Sequence, residues 1–310
     1  MGTSTRPKDW KMVEEGGMDM NRPEKESELP IKAIEKHPSE WGWQRKWDGI
    51  RCTIIGGKDI ITGDGIDEDA RGNKGHSIMD QFPEIKDVVR SIPNDCMVDG
   101  ELLYLSTKVA TSGSLHPDGQ SKGWVPVEDF NIINGRTHTT DITKIKLGAL
   151  NTPATFCAFD MRKDRNGDNI EHMEIQDRMK ELLFTLPYKT QANLDDRAFI
   201  APLNFNKPTM SDMWEGVVWK RLGSEYNDSW YKQKNWLEKD FTILGYNEGT
   251  RMISTITVDS EPQPTDVTYN GKQFPQTEEV AKKLKGATAV VRYMRGKDKL
   301  RFPVLKEVRY

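Results

Sequence analysis

The most informative stretch of the sequence is Gln44-Arg45-Lys46-Trp47-Asp48-Gly49-Ile50-Arg51. A lysine acts as a nucleophile only as the neutral amine, and a free lysine with a pKa of about 10.4 is protonated near pH 7. Neighbouring cations such as Arg45 and Arg51, partial burial and an adjacent metal ion would each favour the neutral form. The simpler interpretation is an exposed lysine, because one Lys-x-Asp-Gly tetrad is weak evidence by itself.

Further clusters of charged and aromatic residues follow along the chain. In Asp99-Gly100-Glu101 the two carboxylates would share one face of a strand, because side chains alternate along it. In Glu215-Gly216-Val217-Val218-Trp219-Lys220 the odd spacing puts the two charged residues on opposite faces of an ideal strand. Either a bulge at Gly216 or a position of Glu215 ahead of the strand would let both reach one site. The other clusters are Phe82-Pro83-Glu84-Ile85, Phe159-Asp160, Trp230-Tyr231-Lys232-Gln233-Lys234 and Leu300–Arg309.

Taken in order, these clusters resemble the motifs of the covalent nucleotidyltransferases, and within that superfamily the small ATP-dependent DNA ligases of viral and bacterial type. Each motif is weak alone, but six in the correct order over residues 46–309 make a specific match. Lys46 stands where motif I has its nucleophile, Asp99-Gly100-Glu101 matches motif III, and Phe159-Asp160 matches motif IIIa. Motifs IV, V and VI correspond to the clusters at 215–220, 230–234 and 300–309.

The resemblance implies a three-step reaction. Lys46 would attack the α-phosphate of ATP, release pyrophosphate and carry AMP as a phosphoramidate. The AMP would move to the 5′-phosphate of a nick, and the 3′-hydroxyl would then displace it and seal the strand. Metal ions and cations neutralise charge in such in-line transfers at phosphorus. The implied cofactors are ATP and Mg²⁺, and the implied partner is nicked double-stranded DNA. The resemblance further implies a monomer that acts in DNA replication, repair or recombination.

The same resemblance implies which residues form the site. Phe159 would stack on the purine, although an ordinary core role for this ring stays open. Glu101 and Glu215 would hold Mg²⁺, and Asp48 would hold ribose or water. The residues implied in ATP and AMP binding are Gln44, Arg45, Lys46, Arg51, Glu101, Phe159, Glu215, Lys220, Lys232, Lys234 and Arg301.

Two positions depart from the family pattern. Gln44 stands where a glutamate usually reads the adenine amino group, and its amide carbonyl can still accept that hydrogen bond. The block Thr62-Gly63-Asp64-Gly65 lacks the arginine expected at Gly63. Arg71, in the segment that follows, is the candidate replacement.

The sequence predicts an α+β protein of two domains. Residues 1–238 would form a nucleotidyltransferase (adenylation) domain of two packed antiparallel sheets with helices, with residues 1–40 as an irregular N-terminal segment. Residues 239–310, with short strands and one short helix at 277–284, would form a C-terminal OB-fold β-barrel. Residues 106–140, rich in Ser, Thr, Gly and His, are typical of a long functional loop.

Local patterns predict individual elements of the first domain. Gly56-Gly57 indicates a hairpin between strands at 51–55 and 59–62. Ile175, Met179 and Leu182 follow helical spacing, with Asn169 as the expected cap and Pro187 as the stop. Further strands are expected at 96–105, 154–161, 215–221, 241–246, 254–258 and 287–293.

Charge is distributed unevenly along the chain. The net charge of the 310 residues is −3, but residues 272–310 hold eleven lysines and arginines against four acidic residues. Such a basic module suits a polyanion, although charge alone favours an ordinary solvated surface. The sequence-based candidates for DNA binding are Lys282, Lys283 and Lys285.

Composition and missing motifs exclude several classes of protein. The sequence lacks the P-loop, a Gly-x-Gly-x-x-Gly helix start, His-Glu-x-x-His and Gly-x-Ser-x-Gly. It shows no apolar run of about 20 residues and no apolar leader. Three widely spaced cysteines argue against a disulfide framework or a zinc site. We therefore expect an intracellular protein without a membrane partner. The resemblance to ligases of viral and bacterial type implies the cytoplasm of a bacterial or virus-infected cell.

Two alternatives to nick sealing remain. Within the superfamily, the chain could be an RNA ligase or an mRNA-capping guanylyltransferase, and labelling with ATP against GTP distinguishes the capping enzyme. It could also be a catalytically inactive nucleic-acid-binding module. Retention of the charged residues of motifs I, III, IV and V argues against that module.

Overall fold

The structure is a computed structural model that describes residues 30–62, 75–109, 124–190, 192, 195–210, 214–248, 252–269, 274–275, 283–294 and 299–309. Gly63, Arg71, Lys282 and most of the helix expected at 277–284 lie outside these described residues. The chain divides into two compact units, Met1–Thr209 with Gly216–Gln233 and Met210–Glu215 with Lys234–Tyr310. The domain boundary expected at residues 238 and 239 stays a prediction.

Two sheets form the first unit. Their strands are β1 Trp41–Lys46, β2 Ile50–Ile55, β3 Asp59–Thr62, β4 His76–Ser77, β5 Met97–Val109, β6 Trp124–Glu128, β7 Ala154–Lys163, β8 Ala198–Ile200, β9 Gly216–Arg221 and β10 Trp230–Lys234. Within the described residues, the larger sheet has the order β4-β3-β2-β5-β7-β8, with β6 paired to β5. The smaller sheet has the order β1-β9-β10. The larger sheet is antiparallel except for β7 and β8, which run parallel.

The hairpin of β2 and β3 forms where the sequence predicts it, because its turn admits only glycine. Gly57 has a φ of 68°, in the left-handed region that glycine adopts without steric cost. A Cβ on Gly56 would lie 1.9 Å from the carbonyl oxygen of Pro93. Gly56 and Gly57 therefore fix both the turn and its close approach to the segment before β5.

Helices pack against the sheets of the first unit. Those in the described residues are α1 Ile31–Lys36, α2 Lys86–Ser91, α3 Phe130–Thr137, α4 Ile142–Asn151 and α5 Ile175–Thr185. One apolar core takes residues from α5 and from both sheets, among them Leu182, Val98, Phe156 and Trp230. None of these described helices has the length and apolar character needed to cross a membrane.

The second unit contains a closed β-barrel. Its strands are β11 Leu237–Glu248, β12 Met252–Val258, β13 Thr265–Tyr269, β14 Phe274–Pro275, β15 Thr288–Met294 and β16 Arg301–Arg309. In the described part of the chain the order is β11-β15-β16-β13-β12, and the pairing of β11 with β12 closes the ring. Ile243, Ile256 and Val291 lie in its buried core. A closed barrel of five strands has the architecture of an OB fold, so the α+β prediction is confirmed.

Two predictions of local structure are wrong. Residues 106–140 are not one loop, because β5 continues to Val109 and both β6 and α3 lie further along. Asn169 does not cap α5, since Glu174 holds the N-cap position and Asn169 Oδ1 accepts a hydrogen bond from the Glu171 amide at 2.8 Å. Polar residues with turn-forming side chains suggested a loop and a cap at places where longer-range pairing decides the structure.

Candidate nucleotide-binding site

Lys46 is the last residue of β1, where the strand leaves the smaller sheet. It is half-buried and lies opposite Gly216 in the antiparallel pair of β1 and β9. The chain then turns at Gly49, where a Cβ would lie 2.4 Å from the carbonyl oxygen of Leu102. The Gly49 amide donates to Oε1 of Glu101 at 3.2 Å. The turn after Lys46 is thereby tied to an expected metal ligand.

The carbonyl oxygen of Phe159 joins two expected site residues. It accepts hydrogen bonds from Gln44 Nε2 at 3.1 Å and from Lys220 Nζ at 3.3 Å. Gln44 Nε2 also donates to the carbonyl oxygen of Ala201 at 2.9 Å. Because carbonyls only accept, these contacts fix the orientation of the buried amide and leave its Oε1 to act as an acceptor. That orientation fits the expected role of Gln44 toward an adenine amino group.

The Phe159 ring is half-buried and belongs to the edge of the apolar core. It packs edge-on against Trp230, with ring centroids 6.2 Å apart. The guanidinium of Arg51 lies 5.8 Å from its centroid. The ring thus has both core contacts and a cationic neighbour, and the expected stacking on a purine stays a prediction.

Lys220 is a buried cation. Its Nζ lies 3.5 Å from Oδ2 of Asp160 and 3.6 Å from the ring centroid of Trp230. Burial lowers the pKa of Lys220 to about 8, and the charge of Asp160 opposes this shift only in part. Since β9 begins at Gly216, Glu215 stands ahead of the strand, which is one of the two arrangements that the sequence left open.

A buried ion pair that the sequence analysis missed lies beside Lys220. Arg178 on α5 donates through Nε to Asp160 Oδ1 at 2.9 Å and through Nη2 to Asp160 Oδ2 at 3.1 Å. Both side chains are fully buried. The signal was present in the sequence, because Arg178 falls on the apolar stripe of α5, three residues after Ile175 and four before Leu182.

Arg51 is held by Asp99 and by Tyr226, a second residue that the sequence analysis missed. Arg51 Nη2 donates to Asp99 Oδ2 at 2.7 Å and to the hydroxyl of Tyr226 at 3.0 Å. Burial disfavours the charge of Arg51, but Asp99 and Tyr226 outweigh it and raise the pKa of Arg51 above its ordinary value. Arg51 therefore remains a cation.

Arg45 makes different contacts from its neighbours in motif I. Its guanidinium forms an ion pair with Glu128 and lies 3.7 Å from the ring centroid of Trp47. Burial lowers the pKa of Arg45, with Glu128 acting against the shift. The expected contact of Arg45 with a nucleotide stays a prediction.

The expected magnesium ligands are two carboxylates, Glu101 and Glu215. Within the described residues, three or more potential ligands of the His, Cys, Asp or Glu type do not cluster in any one place. Magnesium is commonly held by one or two carboxylates together with substrate phosphates and water. Glu101 belongs to the first unit and Glu215 to the second, so their joint role as magnesium ligands stays a prediction.

Three expected nucleotide ligands belong to the second unit, namely Glu215, Lys234 and Arg301. Lys232 belongs to the first unit, where it is a half-buried residue of β10. Phe302, with a φ of 47°, has Lys234 Nζ at 5.2 Å and the Arg301 guanidinium at 5.3 Å from its ring centroid. Of the expected DNA ligands, Lys283 and Lys285 are exposed. Within this unit, two cations of motifs V and VI thus flank one exposed aromatic ring.

These observations define the class of fold: a nucleotidyltransferase-type unit of two sheets, followed by an OB-fold barrel. No protein-family model matches the sequence, and no curated protein matches it either.

More particularly, the fold is similar to that of DNA ligases of known structure. A Lig E DNA ligase, solved to analyse DNA binding with a minimal scaffold, is similar with a TM-score of 0.51 and 15% identity over 87% of this chain and 93% of that one. A structure named Pmar-Lig_Pre. has a TM-score of 0.54 and 17% identity over 94% of this chain and 68% of that one. At such identities these likenesses establish the fold alone.

Proposed function

We propose that this protein is an ATP-dependent DNA ligase that seals nicks in duplex DNA through a lysine–AMP intermediate. In this proposal residues 1–238 form the adenylation domain and residues 239–310 the OB-fold domain. The observation that carries it is the convergence of motifs I, IIIa and IV on the Phe159 carbonyl, through Gln44 and Lys220. A shared ligand would explain why segments that are far apart in the sequence meet at one carbonyl oxygen.

The proposed roles follow from the chemistry of each group. Lys46 attacks the α-phosphate of ATP, so the N–P bond forms as the bond to pyrophosphate breaks. Gln44 accepts a hydrogen bond from the adenine amino group, and Phe159 stacks on the base. Lys220 and Arg51 offer positive charge to phosphate in a setting with little water, where such charge is most effective. Mg²⁺, held by Glu101 and Glu215, would supply neutralisation of phosphate charge.

The proposal is tested by incubating the protein with labelled ATP or labelled GTP and separating it on a denaturing gel. We expect a covalent AMP adduct with ATP only, and sealing of a nicked duplex after adduct formation. An adduct with GTP would indicate a capping enzyme, and preference for nicked RNA would indicate an RNA ligase. No adduct with either nucleotide would exclude the proposed chemistry and leave the binding module.

The buried position of Lys220 makes nucleotide affinity depend on pH. A bound phosphate favours charged Lys220, so binding takes up a proton once the free protein is above its pKa of about 8. We expect affinity for ATP to be constant well below pH 8 and to fall by up to about tenfold per pH unit above it. Isothermal calorimetry over this range measures the effect, and Lys220→Met should bind more weakly with a flatter profile. An equally steep profile in Lys220→Met would exclude Lys220 as the titrating group.

The basic end of the chain predicts salt-dependent DNA binding. Each phosphate contact lowers affinity by about 0.9 log unit per log unit of salt. Neutralising Lys282, Lys283 and Lys285 together should weaken binding of nicked duplex and flatten its salt dependence, while AMP attachment to Lys46 stays nearly intact. The matched variant neutralises three exposed lysines of the first unit, Lys144, Lys146 and Lys180. Equal salt slopes in both variants would make the first cluster an ordinary solvated surface.

A further inference from the structure

Tyr226 closes a hydrogen-bonded triangle with Arg51 and Asp99. Its hydroxyl donates to Oδ2 of Asp99 and accepts a hydrogen bond from Arg51 Nη2 at 3.0 Å. Arg51 Nη2 donates to the same Asp99 oxygen at 2.7 Å. The Asp99 side chain is fully buried, and that of Arg51 is 17% exposed. The guanidinium is thus anchored by Asp99 and Tyr226, on a side chain that is mostly buried.

The ring of Tyr226 is fixed by its neighbours. It packs edge-on against Trp230 with centroids 5.3 Å apart. The guanidinium of Arg162 lies 4.9 Å from its centroid, and that of Arg178 lies 5.7 Å away. These contacts use the ring alone, so they persist if only the hydroxyl is removed.

The turn that carries Tyr226 is also held firmly. The Tyr226 amide donates to the carbonyl oxygen of Glu171 at 2.7 Å, which ties the turn between β9 and β10 to the segment before α5. Asn227 and Ser229 have φ values of 59° and 58°, in the left-handed region that few side chains adopt. Surrounding contacts must impose such a backbone. The backbone that carries Tyr226 is therefore fixed in position, and so is the contact of its hydroxyl with Arg51.

Asp99 holds the guanidinium through both of its oxygens, with Arg51 Nε donating to Oδ1 at the longer distance of 3.4 Å and Nη2 donating to Oδ2 at 2.7 Å. The Tyr226 hydroxyl adds a further contact at Nη2, which restrains the guanidinium beyond what the carboxylate alone provides. Arg51 stands beside the Phe159 ring, whose carbonyl meets Gln44 and Lys220. We propose that Tyr226 is a positioning residue that fixes the Arg51 guanidinium beside Phe159 for the AMP-transfer step. Its effect on reaction rate rests on the proposed function, whereas the fixing of Arg51 does not.

Tyr226→Phe tests the kinetic consequence, because it removes the hydroxyl and keeps the ring. We expect the rate of AMP attachment at saturating ATP to fall by about tenfold to a hundredfold, the range for losing a hydrogen bond to a charged group. The KM for ATP and the melting temperature should change far less. The matched variant is Tyr188→Phe, which removes a hydroxyl 2.6 Å from Ser91 Oγ and should leave the rate unchanged. In an Arg51→Lys background, Tyr226→Phe should add little.

Nuclear magnetic resonance of ¹⁵N-arginine-labelled protein tests the fixing of Arg51 without any reaction, with Arg51→Lys identifying the signal. We expect separate, slowly exchanging guanidinium signals in the wild type and averaged signals in Tyr226→Phe. Unchanged Arg51 signals in Tyr226→Phe would overturn the proposal. A loss of rate that is accompanied by a large fall in melting temperature would also overturn it. If the wild type forms no AMP adduct, the proposed function fails, and the Arg51 signals still decide whether Tyr226 positions it.

Discussion

Lys46→Ala should abolish covalent attachment of AMP, because in the proposed mechanism only the amine of Lys46 acts as the nucleophile in the first step. Sealing of a nick that already carries 5′-adenylate should survive in part, since that step uses the 3′-hydroxyl and the remaining cations. The two activities are measured side by side, with labelled ATP on a denaturing gel and with a pre-adenylylated nicked duplex.

A lysine outside the site provides the matched comparison. Lys58 lies in the turn between β2 and β3, where its exposed side chain pairs with Asp95. Lys58→Ala should form the AMP adduct as the wild type does. An adduct that persists in Lys46→Ala would show that another residue is the nucleophile, and loss of both activities together would point to a damaged fold.

Arg178→Met should destabilise the protein by about 3–5 kcal/mol, the cost of removing one partner of a buried ion pair. Methionine fills much of the volume but leaves Asp160 with Lys220 alone as its cationic partner among the contacts described above. Burial on every side prevents water from replacing the lost hydrogen bonds. Urea unfolding at pH 7 measures the free energy of unfolding.

The comparison for this variant is an arginine at the surface. Arg165 is half-exposed and lies 3.7 Å from Glu181, so Arg165→Met should change stability little. Similar losses in the two variants would mean that the Asp160–Arg178 pair contributes no more than a surface pair. A large loss of unfolding free energy in Arg178→Met alone would show that the Asp160–Arg178 pair is the main polar contact that stabilises the surroundings of Lys220.

The fold could be predicted from the sequence where a short pattern determines the local geometry. The Gly56-Gly57 turn, the apolar spacing of α5 and the ordered motifs were sufficient for the hairpin, the helix and the two-part α+β architecture. The strands β13 and β16 were missed because charged residues interrupt their apolar positions, and strand pairing through the barrel overrides that weak pattern. The site residues assigned by resemblance stay predictions.

The supporting residues of the site could not be predicted, because their roles depend on distant partners. Tyr226 lies in a polar turn that gives no sign of contact with Asp99, 127 positions earlier in the chain. Arg178 resembles any charged residue of an amphipathic helix unless its place on the apolar stripe is noticed. Spacing within one element indicates which side chains share a face, but not what another element brings to that face.

The pairing of β1 with β9 has a consequence for synthesis on the ribosome. Trp41–Lys46 leave the ribosome early, yet their partners Gly216–Arg221 follow about 170 residues later. At roughly 5–20 residues per second, Lys46 is synthesised on the order of ten seconds before its neighbouring strand. A nascent chain shorter than about 220 residues therefore cannot complete the pairing of β1 with β9. A chain that ends before β9 would therefore lack Lys220 as well as the strand that pairs with the segment carrying Lys46.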